Sequence, residues 1–165
     1  MKKLILVFIF IPNILFAGSM KAIGVKGSEE SVDRVIKVSM YDNYYKPNKF
    51  KIKKNETIKF VVENQGELVH EFNIATKEMH LKHQPEMMMM AEHEILLANK
   101  IDKKKMMEMS KKNPAMAHSH SNSVLLSPGQ KAELIWKFSN SVDIEAACNV
   151  PGHYDVGMIA KIDNI

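Results

Sequence analysis

Short stretches in which every second residue is apolar recur along most of this chain, and that period of two constrains its fold more than any other feature. Residues 32–41 place Val32, Ile36, Val38 and Met40 on one face. Phe50 and Ile52 mark a short strand after Pro47, and residues 57–63 bring Ile58, Phe60 and Val62 together. Beyond the turn residues Asn64-Gln65-Gly66, one face carries Leu68, His70, Phe72 and Ile74. The pattern resumes after Ser127-Pro128-Gly129 with Ala132, Leu134, Trp136 and Phe138. It continues with Val142, Ile144, Ala146 and Cys148, then with Met158, Ala160 and Ile162. Short half-buried strands separated by turns predict an all-β sandwich.

The middle of the chain breaks this pattern. From Asn73 to Ile135 there is no Phe, Trp or Tyr, and residues 76–123 hold nine of the thirteen Met and five of the seven His. A stretch so poor in rings and branched residues reads as an insertion on the sandwich surface, at about 76–123, partly helical and mobile. Pro85 suits the first turn of a helix running to about Asn99. Lys103 to Lys112 forms a second helical piece, ended by Asn113-Pro114.

The N-terminus has its own logic. Lys2 and Lys3 precede an apolar run over residues 4–16, broken only by Pro12 and Asn13, and small residues follow at Ala17, Gly18 and Ser19. This is the pattern of a Sec-type signal peptide over 1–17, which leaves a domain over 18–165 and places it in the periplasm. The run is too short to span a bilayer comfortably, so stable membrane insertion is not expected. Without Lys2 and Lys3 the formal charge falls from +4 to +2, and the small remaining excess is scattered. That gives no case for a nucleic-acid partner. The single cysteine, Cys148, has no internal disulfide partner, and a thiol exposed to an oxidising compartment needs protection, which a metal bond supplies.

Chemistry concentrates near the C-terminus, in Cys148-Asn149-Val150-Pro151-Gly152-His153-Tyr154-Asp155-Val156-Gly157-Met158. Thiolate, imidazole and thioether follow one another with four residues between each pair. Soft sulfur and imidazole donors suit copper as Cu(II) and Cu(I), and two imidazoles, one thiolate and a weak axial thioether form a known electron-transfer geometry. Strand parity agrees: Cys148 ends one strand facing inward, Met158 begins the next, and Pro151-Gly152 stiffens the loop that presents His153. The second imidazole is assigned to His70, on an inward face between Leu68 and Phe72.

On Tyr45-Lys46-Pro47, Asn55-Glu56-Thr57, Asn64-Gln65-Gly66, His70-Glu71-Phe72 and the loop from Cys148 to Met158, the chain resembles the cupredoxins, the small blue-copper proteins. The resemblance covers roughly residues 32–75 and 124–163. It implies a Greek-key β-sandwich with copper at one end, bound strongly by His70, Cys148 and His153 and axially by Met158. One position departs from the pattern: many members carry Asn directly after the first His, and Glu71 stands here, so the hydrogen bonds around the ligands are expected to differ.

Met79, His80, His83, Met87 to Met90, His93, Met106, Met107, Met109, Met116, His118 and His120 make up the Met/His tract. Thioethers favour Cu(I) and imidazoles take either state, so the tract reads as a segment for additional copper. The alternative is a lid whose methionines pack on apolar surface. The resemblance implies a type 1 copper protein with one-electron redox activity, serving copper tolerance and meeting a periplasmic redox protein or copper donor. A respiratory electron carrier is the other reading, and it has no need of the tract. An enzyme is not expected, since the chain is too short for a second copper domain and one closed site leaves no open position for substrate.

Overall fold

The structure, a computed structural model, describes residues 22–139 and 141–165. The expected signal peptide over 1–17 lies outside the described residues. Among the described residues, ten strands form two five-stranded sheets. In the first sheet β1 (Gly24–Lys26), β8 (Lys131–Phe138), β5 (Thr57–Asn64), β2 (Arg34–Tyr41) and β3 (Tyr44–Lys46) lie in that order. In the second the order is β4 (Lys49–Ile52), β10 (Ile159–Asn164), β9 (Glu145–Ala147), β6 (His70–Ala75) and β7 (Ser123–Leu126). Two neighbouring pairs, β2 with β5 and β4 with β10, run parallel, and the other pairs are antiparallel. The expected β-sandwich is therefore present, with a helical insertion between β6 and β7. No helix of the described residues is long and apolar enough to cross a membrane.

The inward faces read from the sequence meet between the sheets. Val38, Met40, Ile58, Phe60, Val62, Phe72, Ile74, Leu134, Trp136, Phe138, Ala146, Cys148, Met158 and Ala160 are buried in one cluster. Phe72 is its hub, with Phe60 at 5.3 Å and Tyr45 and Phe50 edge-on at 5.6 and 6.1 Å between ring centroids. Each such ring contributes roughly 1.5–3 kcal/mol by burial alone. Tyr45 also donates its hydroxyl proton to the Glu71 carbonyl at 2.6 Å, which anchors β6 to the β3 edge.

One strand departs from the alternating pattern. All six residues of β6 are buried, so Glu71 and Asn73, which parity alone would expose, are covered as well. The cover is the insertion. Its first helix, α1 (Lys77–Glu92), starts eight residues before the expected position at Pro85. Thr76 caps it by accepting from the Met79 amide at 3.2 Å, and Pro85 lies inside the helix, on an exposed position. The missing proline N–H costs one helical bond. Packing of Met87 and Met90 offsets that loss. Glu94, in left-handed backbone (φ 53°), follows the helix, so it stops short of the expected Asn99. The second helix, α2 (Lys103–Ser110), lies where the sequence placed it, and a short 3-10 turn over Pro114–Ala117 follows.

The insertion is packed, contrary to the expectation of a mobile stretch without a core. Met87, Met90, Ile95, Leu96 and Met116 join Val69 in a second apolar cluster. Unbranched thioether chains fill this small core in place of the absent rings.

Candidate metal centre

Strand register determines how the candidate residues meet. Asn73 pairs with Ala147 across β6 and β9, and Ala147 with Ile159 across β9 and β10. Cys148, one step beyond β9, therefore stands beside the start of β6 on one side and Met158 on the other. The Cys148 amide donates to the Met158 carbonyl at 3.2 Å, and the Glu71 amide donates to the Cys148 sulfur at 3.3 Å. The loop between them closes on itself: the His153 amide reaches the Val150 carbonyl at 2.9 Å, and the Met158 amide reaches the His153 carbonyl at 3.0 Å. Gly152 and Gly157 both have positive φ, 85° and 88°, which glycine adopts freely and which permits so tight a return.

The result brings three of the four expected residues into contact. His70 Nδ1 and His153 Nδ1 are 3.2 Å apart, and Cys148 Sγ is 3.4 Å from His153 Nδ1. The three donor atoms lie within 4.8 Å of one another. His70 and Cys148 are fully buried, while His153 is partly exposed. Met158 is fully buried in the same apolar cluster as Cys148, beside it in register. Burial holds both imidazoles below the ordinary histidine range; Asp42 opposes this at His70, and at His153 the neighbouring His70 adds to it. They are therefore neutral at pH 7, the form that binds metal. Burial pushes the Cys148 thiol up to about 12, so a metal must displace its proton.

Further residues support this group, and sequence reasoning missed them. Asp42, in the turn between β2 and β3, accepts from His70 Nε2 at 2.8 Å and is itself held by the amides of Glu67 and Leu68. That contact occupies Nε2 and leaves Nδ1 facing Cys148 and His153, as the outer partner of a metal-binding histidine does. Gly66 makes the contact possible, because a Cβ there would sit 2.4 Å from Asp42 Oδ1 and 2.9 Å from His70 Nε2. Asn149 donates from its amide and its Nδ2 to Glu71 Oε2, at 3.2 and 2.7 Å, so the unusual Glu71 still ties the ligand strand to the cysteine loop.

The Met/His tract sorts into two behaviours. Six of its methionines belong to the insertion core, Met87, Met90 and Met116 buried and Met89, Met106 and Met109 packed against them, and Met88 and Met107 are exposed. His80 and His83 share the buried face of α1, whereas His93 is exposed. His80 meets Asn149 at 3.1 Å. His83, His118 and His120 converge with Glu86 above Glu71. Burial disfavours an ionised Glu71, but hydrogen bonds from His118 and His83 outweigh it and hold the carboxyl well below the ordinary range.

A two-sheet sandwich with a thiol and two imidazoles brought together at one end defines the cupredoxin class. A family model described as a cupredoxin-like domain matches residues 7–102, and the chain belongs to that family. Among curated relatives, the copper-resistant cuproprotein CopI of Pseudomonas aeruginosa is 34% identical over 98% of this chain and 96% of its own length. CopI of Vibrio cholerae is 29% identical over 87% of this chain and 73% of that relative. The fold is also similar to dithionite-reduced auracyanin from Roseiflexus castenholzii, with a TM-score of 0.56 at 14% identity, covering 81% of this chain and 98% of that one. Auracyanin B gives 0.53 at 14% identity, covering 86% and 96%.

Proposed function

We propose that this chain binds one copper ion through His70, Cys148, His153 and axial Met158, and that it serves copper tolerance in the periplasm as a one-electron carrier. The observation that carries this reading is the convergence of the Cys148 sulfur and two neutral imidazole nitrogens within 4.8 Å. Thiolate and imidazole together suit copper in both oxidation states. The names of the CopI relatives support the link to copper resistance.

Bound copper would supply the Cu(II)/Cu(I) couple. The protein's part is to hold the donors still. Asp42 keeps His70 in one tautomer, the Glu71 amide steadies the sulfur, and the closed loop fixes His153. His153 is the most exposed of the set, so an electron enters and leaves on its side, where a periplasmic redox protein or copper donor would dock. The donor set leaves no open position for a substrate, which argues for transfer rather than catalysis. Residues 1–17 act in this reading as the export signal, with the cupredoxin domain over 18–165 and the insertion over about 76–123.

Loading the purified protein with Cu(II) tests the site. An intense visible absorption from the thiolate is expected, and Cys148→Ser should abolish it. An unchanged spectrum in that variant refutes the assignment.

A further inference from the structure

We infer that His83, Glu86, His118 and His120 form a second metal site, built for a divalent transition ion with Cu(II) preferred, in the insertion directly above Glu71. The argument begins with convergence. These four residues come from α1 and from the segment after the 3-10 turn, and one donor atom of each lies within 4.8 Å of all the others. The three imidazoles stand at the corners of a nearly equilateral triangle, with ring centroids 4.9, 5.0 and 5.2 Å apart. His83 Nε2 and His118 Nε2 are 3.3 Å apart. Two nitrogens bound about 2.0–2.1 Å from one ion stand about 2.8–3.4 Å apart, from the right angles of a tetragonal site to the wider ones of a tetrahedral site. The pair His70 and His153, at the cupredoxin centre, shows nearly the same spacing of 3.2 Å.

Ordinary hydrogen bonding explains the cluster poorly. Glu71 Oε1 is approached by Ser123 Oγ at 2.5 Å, Asn73 Nδ2 at 3.2 Å, His118 Nε2 at 2.9 Å and His83 Nε2 at 3.2 Å. A carboxylate oxygen has two lone pairs, so four donors exceed what it can accept. The Nε2 atoms of His83 and His118 that crowd it would ligate a shared cation by releasing the protons they donate to Glu71; against the effect of burial, Glu71 and Glu86 hold His83 up to about 10, so the metal must displace its proton. His118 is held there in left-handed backbone (φ 44°, ψ 50°), which residues other than glycine rarely adopt. Glu86 accepts from His120 Nε2 at 2.9 Å and lies 3.4 Å from His83 Nδ1, so a carboxylate stands beside the imidazoles on the second side.

Donor chemistry selects the ion. Three imidazoles and a carboxylate are borderline-to-hard ligands, and this four-residue set itself contains no soft donor of the kind Cu(I) favours. For such nitrogen and oxygen sets Cu(II) binds more tightly than Zn(II) or the earlier divalent metals. Access is also present. A cavity of about 270 Å³ is lined by Ala117, His118 and Ser123 among others, and the His120 side chain is 30% exposed. Glu71 joins the two places: its carboxylate touches His83 and His118, and its amide bonds the Cys148 sulfur. The second site does not depend on the ligands proposed for the first.

Metal content after dialysis against excess Cu(II) decides the matter. Full-length protein should hold two equivalents, one with the visible thiolate band. The other should give an electron paramagnetic resonance signal with the larger parallel hyperfine coupling of nitrogen and oxygen ligands. H118A/H120A should keep the band and fall to one equivalent, while H93A, which alters the exposed histidine of the tract, should keep two. C148S should lose the band and keep the other signal, and this variant leaves the insertion untouched if H118A/H120A fails to fold. Replacing Cu(II) by Zn(II) in competition should require an excess of zinc. The site is refuted if C148S binds no copper, or if H118A/H120A retains both equivalents. The preference for Cu(II) is refuted if equimolar zinc displaces the second ion. A visible thiolate-type band retained in C148S would overturn the cupredoxin ligand assignment while leaving the second site standing.

Discussion

Gly66→Ala changes one hydrogen for a methyl group 82 residues before the start of the Cys148–Met158 loop, yet it should damage copper binding. The new Cβ would lie 2.4 Å from Asp42 Oδ1, 2.9 Å from His70 Nε2 and 3.0 Å from the Asp42 amide nitrogen. The last of these is backbone, so no side-chain rotation relieves all three contacts. Either the β2–β3 turn moves away or the 2.8 Å Asp42–His70 bond breaks. Crowding of this kind costs about 1–3 kcal/mol of stability. Losing the outer partner of a metal-binding histidine typically weakens metal affinity about 10–100-fold, which is about 1.4–2.7 kcal/mol. Chelator competition with Cu(II) would read the second effect, and urea unfolding of the metal-free protein the first. Asp42→Ala separates them, since it removes the bond without crowding: its affinity should fall like that of Gly66→Ala, with a smaller loss of stability. Copper affinity within twofold of the unaltered protein in both variants would refute the argument that Asp42 orients His70.

Three further outcomes follow from other parts of the molecule. Met158→Leu should retain copper and raise the reduction potential in a spectroscopic redox titration, because an axial thioether favours Cu(II) slightly; a fall in potential argues against Met158 as a ligand. Met87→Ala should cost about 2–5 kcal/mol in denaturant unfolding, as loss of a buried side chain does. It should leave copper stoichiometry unchanged, and a stable variant with less copper would instead make Met87 a ligand. Mass spectrometry of the protein recovered from periplasm should find a mature start near Gly18 or Met20, and full-length chain confined to the cytoplasm would overturn the export reading.

Much of the cluster of His70, Cys148 and His153 was legible because its signals are local. Cys148, His153 and Met158 fall within one loop, and strand parity is enough to turn Cys148 and Met158 toward the same interior. His70 needed only an inward face and a chemical reason for a second imidazole. Asp42 and Gly66 left no such trace. They act through a three-way approach of the β2–β3 turn, the β5–β6 turn and His70, and nothing in a turn's residue types announces which imidazole it will meet. The helix start was misjudged for a related reason. Pro85 is a strong local signal for a first turn, but the Thr76 cap together with burial of His80, Met87 and Met90 along one face outweighs it.

Glu71 is where local rules and tertiary structure diverge most. By parity its side chain faces outward, and at an ordinary sandwich surface a carboxylate there would be solvated. The insertion instead closes over that face, and a buried charge must then be paired or it costs several kcal/mol. His83 and His118 supply the pairing from the insertion, and Asn149 supplies it from the cysteine loop. The unusual residue after His70 and the insertion are thus two halves of one arrangement. Without the insertion Glu71 would keep Asn149, Asn73 and Ser123 as hydrogen-bond partners but lose both imidazoles, and with Asn in its place the insertion's histidines would have no charge to gather around.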